Sequence, residues 1–169
     1  MANCNGNLFV EGEVENENGF RQRRVCIIGA GMSGLLATKY LLSLNLNTTV
    51  FEAKQGLGGV WRETFASTKL QTPRPAFEFT DFPWPKHVTT QYPTASDVMD
   101  YFHGYAQHFG LLDHIQFNSQ VVEVRYSEKY CEKSLEDAGL WCKNGGGPYA
   151  DGAVWEVAVQ KSHAESIEV

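Results

Sequence analysis

Long apolar runs are missing from this 169-residue chain. None approaches the roughly 20 residues that cross a bilayer, so no membrane span is expected. Basic charge is scarce too: 14 Lys and Arg stand against 20 Asp and Glu, a formal net charge of −6. Nucleic acid and anionic membrane are poor partners for such a chain, because holding rows of phosphates needs clustered Lys and Arg. The one basic cluster, Arg21, Arg23 and Arg24, abuts an apolar run and reads as the solvated entry to a strand. Cysteine is limited to Cys4, Cys26, Cys131 and Cys142, without a C-x-x-C pair. His87, His103, His108, His114 and His163 share no metal-ligand spacing, so no metal is expected. Cys26 lies in an apolar stretch and reads as a small buried thiol, and a reduced, cytoplasmic protein is expected. The polar, acidic start lacks a basic region followed by an apolar one, so no secretory signal is expected. Residues 1–23 are expected to form a disordered lead-in.

The 43% hydrophobic and 20% charged content suits a globular domain. Val25-Cys26-Ile27-Ile28 has the unbroken apolarity of a strand buried on both faces, as in a parallel sheet. The cluster Gly29-Ala30-Gly31-Met32-Ser33-Gly34 follows it. A helix is then predicted from Met32 to about Leu44, with Leu35, Leu36, Ala37, Tyr40 and Leu41 on its apolar face. Thr48 to Glu52 is rich in β-formers and closes a βαβ unit of about 30 residues. In this setting Gly29 permits a tight turn, Gly31 lets backbone approach a pyrophosphate, and Gly34 lets helix and strand pack closely. The helix N-terminus offers amides and a positive dipole end to phosphate. Glu52 ends the second strand 18 residues after Gly34, where a carboxylate accepts hydrogen bonds from an adenosine ribose and repels a 2′-phosphate. FAD and NAD remain as ligands for such a unit.

Five of the six prolines fall between Pro73 and Pro93, among Phe77, Phe79, Phe82, Trp84 and Tyr92. An extended aromatic segment is expected there, because proline lacks a donor and fixes φ. Thr94 to Asp97 has the form of a capping box, and the helix it opens carries Val98, Tyr101, Phe102, Tyr105 and Phe109, with Gly110 as the residue beyond its end. Val121–Tyr126 and Val154–Val159 read as two strands of a long hairpin. Gly145 to Ala150 fits a glycine fingerprint in form alone. Pro148 stands inside it and a strand follows, so it reads as a loop.

After Glu52 comes Gly58-Gly59-Val60-Trp61, and later Lys69-Leu70-Gln71 and Thr80-Asp81-Phe82-Pro83-Trp84-Pro85. Together with the glycine cluster, Phe51-Glu52-Ala53, the Tyr101–Phe117 stretch and Val154-Trp155-Glu156-Val157, these motifs resemble, in order, the N-terminal part of plant-type flavin-containing monooxygenases. The resemblance covers about Arg24 to Gln160 and favours FAD over NAD. It implies an α/β fold: a Rossmann-like FAD-binding domain over residues 24–169, with a βαβ unit on a parallel sheet in three layers and an added hairpin or small meander. It also implies that Gly29, Ala30, Gly31, Met32, Ser33 and Gly34 hold the pyrophosphate and Glu52 the ribose. Gly59, Val60 and Trp61 would then line the isoalloxazine. Many members have an asparagine near the flavin; its place falls to Gln71 or Thr72, which makes Gln71 the candidate catalytic residue.

The chemistry implied is oxygenation of a small-molecule amine or sulfur, with NADPH as reductant and a flavin C4a-hydroperoxide as oxidant. The family's second glycine-rich site, for NADPH, and its inter-domain motif are not found in this sequence, so the fold is expected to be incomplete relative to the family. The chain alone is expected to be inactive, and a truncated FAD-binding module without catalysis is the alternative reading.

Overall fold

The computed structural model describes residues 8–9, 14–15, 21–22, 24–126 and 155–162. Most of the expected lead-in, the Gly145–Ala150 loop, Cys4, Cys131, Cys142 and His163 lie outside them. The chain divides into two compact units, residues 1–24 with 119–169, and residues 25–118.

The first unit carries short strands β1 (Leu8–Phe9), β2 (Val14–Glu15) and β3 (Arg21–Gln22). The second opens within β4 (Arg24–Ile28), at Val25, and continues through α1 (Met32–Ser43), β5 (Asn47–Phe51), α2 (Arg74–Phe77), α3 (Ala95–His108) and β6 (Ile115–Gln116). The chain then returns to the first unit with β7 (Ser119–Tyr126) and β8 (Trp155–Lys161). In that unit β8 lies between β1 and β7, antiparallel to both. The β7–β8 pair is the expected hairpin, with a bulge at Val122 that shifts the register between Val121 and Glu123.

In the second unit a three-stranded parallel sheet has the order β4-β5-β6. Val50 pairs with Ile115 and Phe51 with Gln116. This is the doubly-wound theme in outline: strand, helix, strand, with α1 against β5 and with Leu35 and Val50 both fully buried. Two expectations fail on β4. Cys26 is exposed rather than buried, and Ile28 is 60% exposed, so one face of this edge strand is open. Apolar sequence shows that both faces could be buried; what lies over a face is settled elsewhere in the chain. On α1, Tyr40 is half exposed and the buried stripe centres on Leu35 and Thr38. The Thr38 hydroxyl donates to the Gly34 carbonyl at 2.6 Å, so a polar residue sits in that stripe without an unmet donor.

The core is largely aromatic and lies between α3 and the proline-rich segment. Trp84 stacks on Tyr101 with centroids 4.1 Å apart, and Phe79 meets Tyr105 edge-on at 4.7 Å. The Tyr101 hydroxyl donates to the Phe82 carbonyl and accepts from the Phe79 amide, so one phenol pins both ends of the tight Phe79–Phe82 bridge. Proline does not exclude helix altogether here: Pro75 stands in the first turn of α2, where its missing N–H costs nothing.

Helix α3 is fixed at both ends. The Thr94 hydroxyl accepts from the Asp97 amide, and the Asp97 carboxylate accepts from the Thr94 amide at 2.8 Å, the reciprocal pair of a capping box. At the other end Gly110 has φ +64°, and the Leu111 amide reaches back to the Ala106 carbonyl at 2.8 Å while Leu111 itself is buried. That is a Schellman closure with its hydrophobic contact.

Candidate functional site

The sequence residues that matter most converge at the carboxyl end of β4 and β5, the position at which open α/β sheets bind ligands. Beyond Ile28 the chain turns through Gly29, whose φ of +93° lies in the left-handed region and suits glycine. The Gly29 amide donates to the Phe51 carbonyl at 2.8 Å, so the turn is hung from the second strand. A Cβ on Gly34 would lie 2.0 Å from the Gly29 carbonyl oxygen. Close approach of helix and strand therefore requires glycine at 34, as the spacing predicts.

Gly31 differs. Its backbone is in the extended region, and a Cβ there would lie 3.5 Å from the Gly59 α-carbon, an ordinary contact. Gly31 and Gly59 face each other, and a methyl group fits between them. Helix α1 begins at Met32 without a side-chain cap and without an acidic residue in its first turn. Its first amides have no intrahelical partner, and no first-turn carboxylate competes for them. Met32 and Ser33 are exposed at this opening.

Glu52 is 7% exposed, and both carboxylate oxygens accept backbone hydrogen bonds. One is reached by the Ala30 amide at 2.7 Å and the other by the Lys54 amide at 2.9 Å. The Lys54 side chain turns away to pair with Glu63, and that hydrogen bond holds the exposed Glu63 carboxyl below its usual range. The Gly58 amide donates to the Ala30 carbonyl at 2.9 Å, which joins the glycine pair to the turn. Gly58 has φ +126°, and a Cβ there would meet the Met99 sulfur at 2.5 Å. From Gly59 a single 3₁₀ turn runs to Trp61. Val60 is 82% exposed, while Trp61 is partly buried edge-on against Phe77 at 6.0 Å.

These bonds bring together Gly29–Gly34, Glu52 and Gly58–Gly59. Gln71 and Thr72 are not among the residues they join; both are exposed and sit between the Lys69–Thr94 bridge and α2. Met99 escaped the sequence reading, and Ala30, expected in the cradle, has a further part in it. Ala30 is fully buried with both its amide and its carbonyl engaged, and Met99 packs behind Gly58. Met99 has no spacing signature that would mark it, and the glycine fingerprint marks Ala30 without showing the two bonds it makes. No described helix is long and apolar enough to cross a membrane.

The chain is similar to known proteins. Residues 22–141 match the family described as flavin-binding monooxygenase-like. A protein of Arabidopsis thaliana described as probable flavin-containing monooxygenase 1 is 44% identical over 147 residues, covering 86% of this chain and 27% of that protein. Flavin-containing monooxygenase 1 of Homo sapiens is 37% identical over 112 residues, 60% of this chain and 21% of that one. The chain thus spans about a quarter of the length of these relatives. Among solved structures, a flavin-containing monooxygenase from Stenotrophomonas maltophilia superposes with a TM-score of 0.55 at 27% identity, over 62% of this chain and 31% of its own. S-allyl-L-cysteine S-oxygenase from Allium sativum shares the fold at TM-score 0.59 and 24% identity, over 64% of this chain and 30% of its own.

Proposed function

This chain belongs to the flavin-binding monooxygenase-like family, and we propose that it is the FAD-binding portion of an NADPH-dependent monooxygenase acting on amine nitrogen or sulfur in small molecules. The carrying observation is the turn from Gly29 to Gly34, hung from Phe51 and tied to Glu52, at the head of an uncapped helix. The residues fit a dinucleotide. A Cβ at Gly29 would enter open space, and the exposed first-turn amides of α1 can receive a pyrophosphate. Each Glu52 oxygen accepts one backbone bond, which leaves lone pairs for ribose hydroxyls.

In this reading Gly29, Ala30, Gly31, Met32, Ser33 and Gly34 form the pyrophosphate cradle within the 24–169 domain. Gly59, exposed Val60 and Trp61 border the isoalloxazine, and Gln71 or Thr72 approaches the flavin from the aromatic segment. FAD, when bound, supplies the oxygen transfer, with NADPH as its reductant. The chain's own task is to bind, orient and shield it. A reduced, cytoplasmic setting belongs to the same proposal and is supported by four cysteines without a C-x-x-C pair.

Gly31→Val tests the assignment. Its branched side chain would press on the Gly59 backbone and fill the approach to α1, so flavin absorbance retained through purification should disappear. Flavin content equal to that of the unaltered protein would refute the site.

A further inference from the structure

We infer that Glu52 is a positioning residue for the glycine turn, separately from any contact it makes to a ribose. The inference rests on the dinucleotide reading above and deepens it. Ala30 is the hub. Its amide donates to Glu52, its carbonyl accepts from Gly58, and the residue is fully buried between them. Glu52 is itself fixed, because its backbone amide donates to the Gln116 carbonyl at 2.9 Å and its second oxygen holds the Lys54 amide. The carboxylate therefore ties the turn to the sheet before any ligand arrives. Charge-assisted bonds of this kind are short and strong in a buried setting, and a turn already in its bound form loses less conformational freedom on binding.

A corollary concerns the phosphates. The Ala30 amide is occupied by Glu52 and the Gly29 amide by Phe51, so phosphate contacts fall to amides further along the turn, those of Met32 and Ser33 at the start of α1 among them. Glu52 thus withholds one donor of the turn and aims the others.

The two roles of Glu52 separate with a probe that lacks the ribose hydroxyls. The full chain, purified without ligand, is titrated with ADP and with 2′,3′-dideoxy-ADP, alongside Glu52→Gln and Glu52→Ala. Circular dichroism checks that each variant is folded. If Glu52 served the ribose alone, both variants would bind the dideoxy compound as the unaltered chain does. Removal of a negative charge near a pyrophosphate would tighten binding rather than weaken it. Positioning predicts the opposite: Glu52→Ala weakens 2′,3′-dideoxy-ADP by about tenfold, the equivalent of one charge-assisted bond. Hydrogen exchange at the Ala30 amide should rise by a similar factor in the ligand-free variant. Unchanged or tighter dideoxy-ADP binding, with unchanged Ala30 exchange, overturns the inference while leaving the nucleotide site in place. Failure of the unaltered, folded chain to bind ADP at all overturns the dinucleotide reading itself.

Discussion

A methyl group on Gly34 would stand 2.0 Å from the carbonyl oxygen of Gly29, inside any van der Waals limit and against backbone rather than a movable side chain. The start of α1 can lie as near to the end of β4 as it does because position 34 carries no side chain.

Gly34→Ala should therefore force the helix away from the turn. Overpacking of this kind costs about 1–3 kcal/mol, and here it also displaces the amides that face a phosphate. A lowered thermal midpoint together with lost flavin is the expected pair of results. Gly31→Ala, whose methyl meets Gly59 at 3.5 Å, should change stability by less than about 1 kcal/mol and leave the midpoint near that of the unaltered protein. Equal midpoints for the two variants would show that the close approach is not limiting.

Tyr101 and Tyr105 lie one helical turn apart and should respond oppositely to loss of their hydroxyls. Tyr101 makes two hydrogen bonds through its oxygen, whereas the buried Tyr105 hydroxyl has no hydrogen-bond partner among the described residues. Tyr101→Phe leaves a buried amide and carbonyl unmet and should cost about 1–3 kcal/mol. Tyr105→Phe removes a desolvated polar atom and should be neutral or stabilising. Chemical denaturation of both variants checks this, and a costly Tyr105→Phe would reveal a partner for its hydroxyl.

Burial disfavours the charged form of both phenols and moves their ionisation to higher pH. Tyr101 is pushed up to about 12 from 10.0, and Tyr105 moves further in the same direction. In the unfolded chain they ionise near 10, so above that pH the folded state binds more protons than the unfolded state. Their contribution is full below pH 10 and is lost as pH rises from about 10 to about 12. Denaturation midpoints measured across pH 8 to 12 should fall over that window, and the Tyr105→Phe variant should fall less steeply. Identical slopes in variant and unaltered protein would place the alkaline sensitivity elsewhere.

Asp97 titrates the other way. Its hydrogen bonds with the Thr94 hydroxyl and amide hold its carboxyl below the ordinary 3.8. The stability it lends α3 is present above that value and lost as pH falls through the lower, folded one. Thr94→Ala should cost about 1 kcal/mol at neutral pH and bring the Asp97 ionisation back toward 3.8, which carbon-detected NMR titration of the carboxyl would follow. A cap variant with unaltered Asp97 titration would separate helix capping from this ion's environment.

Much of the site was legible because its signals are local. Gly29, Gly31 and Gly34 sit between an apolar strand and a helix, and Glu52 falls at the end of the next strand, so spacing alone brings them together. The capping box and Gly110 were legible for the same reason: each acts within one turn of chain. Cys26 and Ile28 were misread because apolarity records what a strand can bury and not what covers it. The Ala30–Glu52 bond was invisible because it depends on which way a carboxylate turns in three dimensions. Gly31 was read for what a ligand needs, whereas its visible neighbour is Gly59, a pairing that no periodicity announces.

The Glu52–Gln116 bond gives the site an order of assembly. The aromatic segment and α3 meet across about 20 residues, as between Phe79 and Tyr101, and such local contacts form early. The strand that steadies Glu52 arrives 64 residues after it. At roughly 5–20 residues per second of synthesis, the glycine turn waits about 3–13 s before Gln116 is made. Tyr105 and Phe109, which complete the aromatic core, precede Gln116 by only 11 and 7 residues, so at that rate the last core ring and the strand that ties the cradle emerge within about 0.4–2 s of each other.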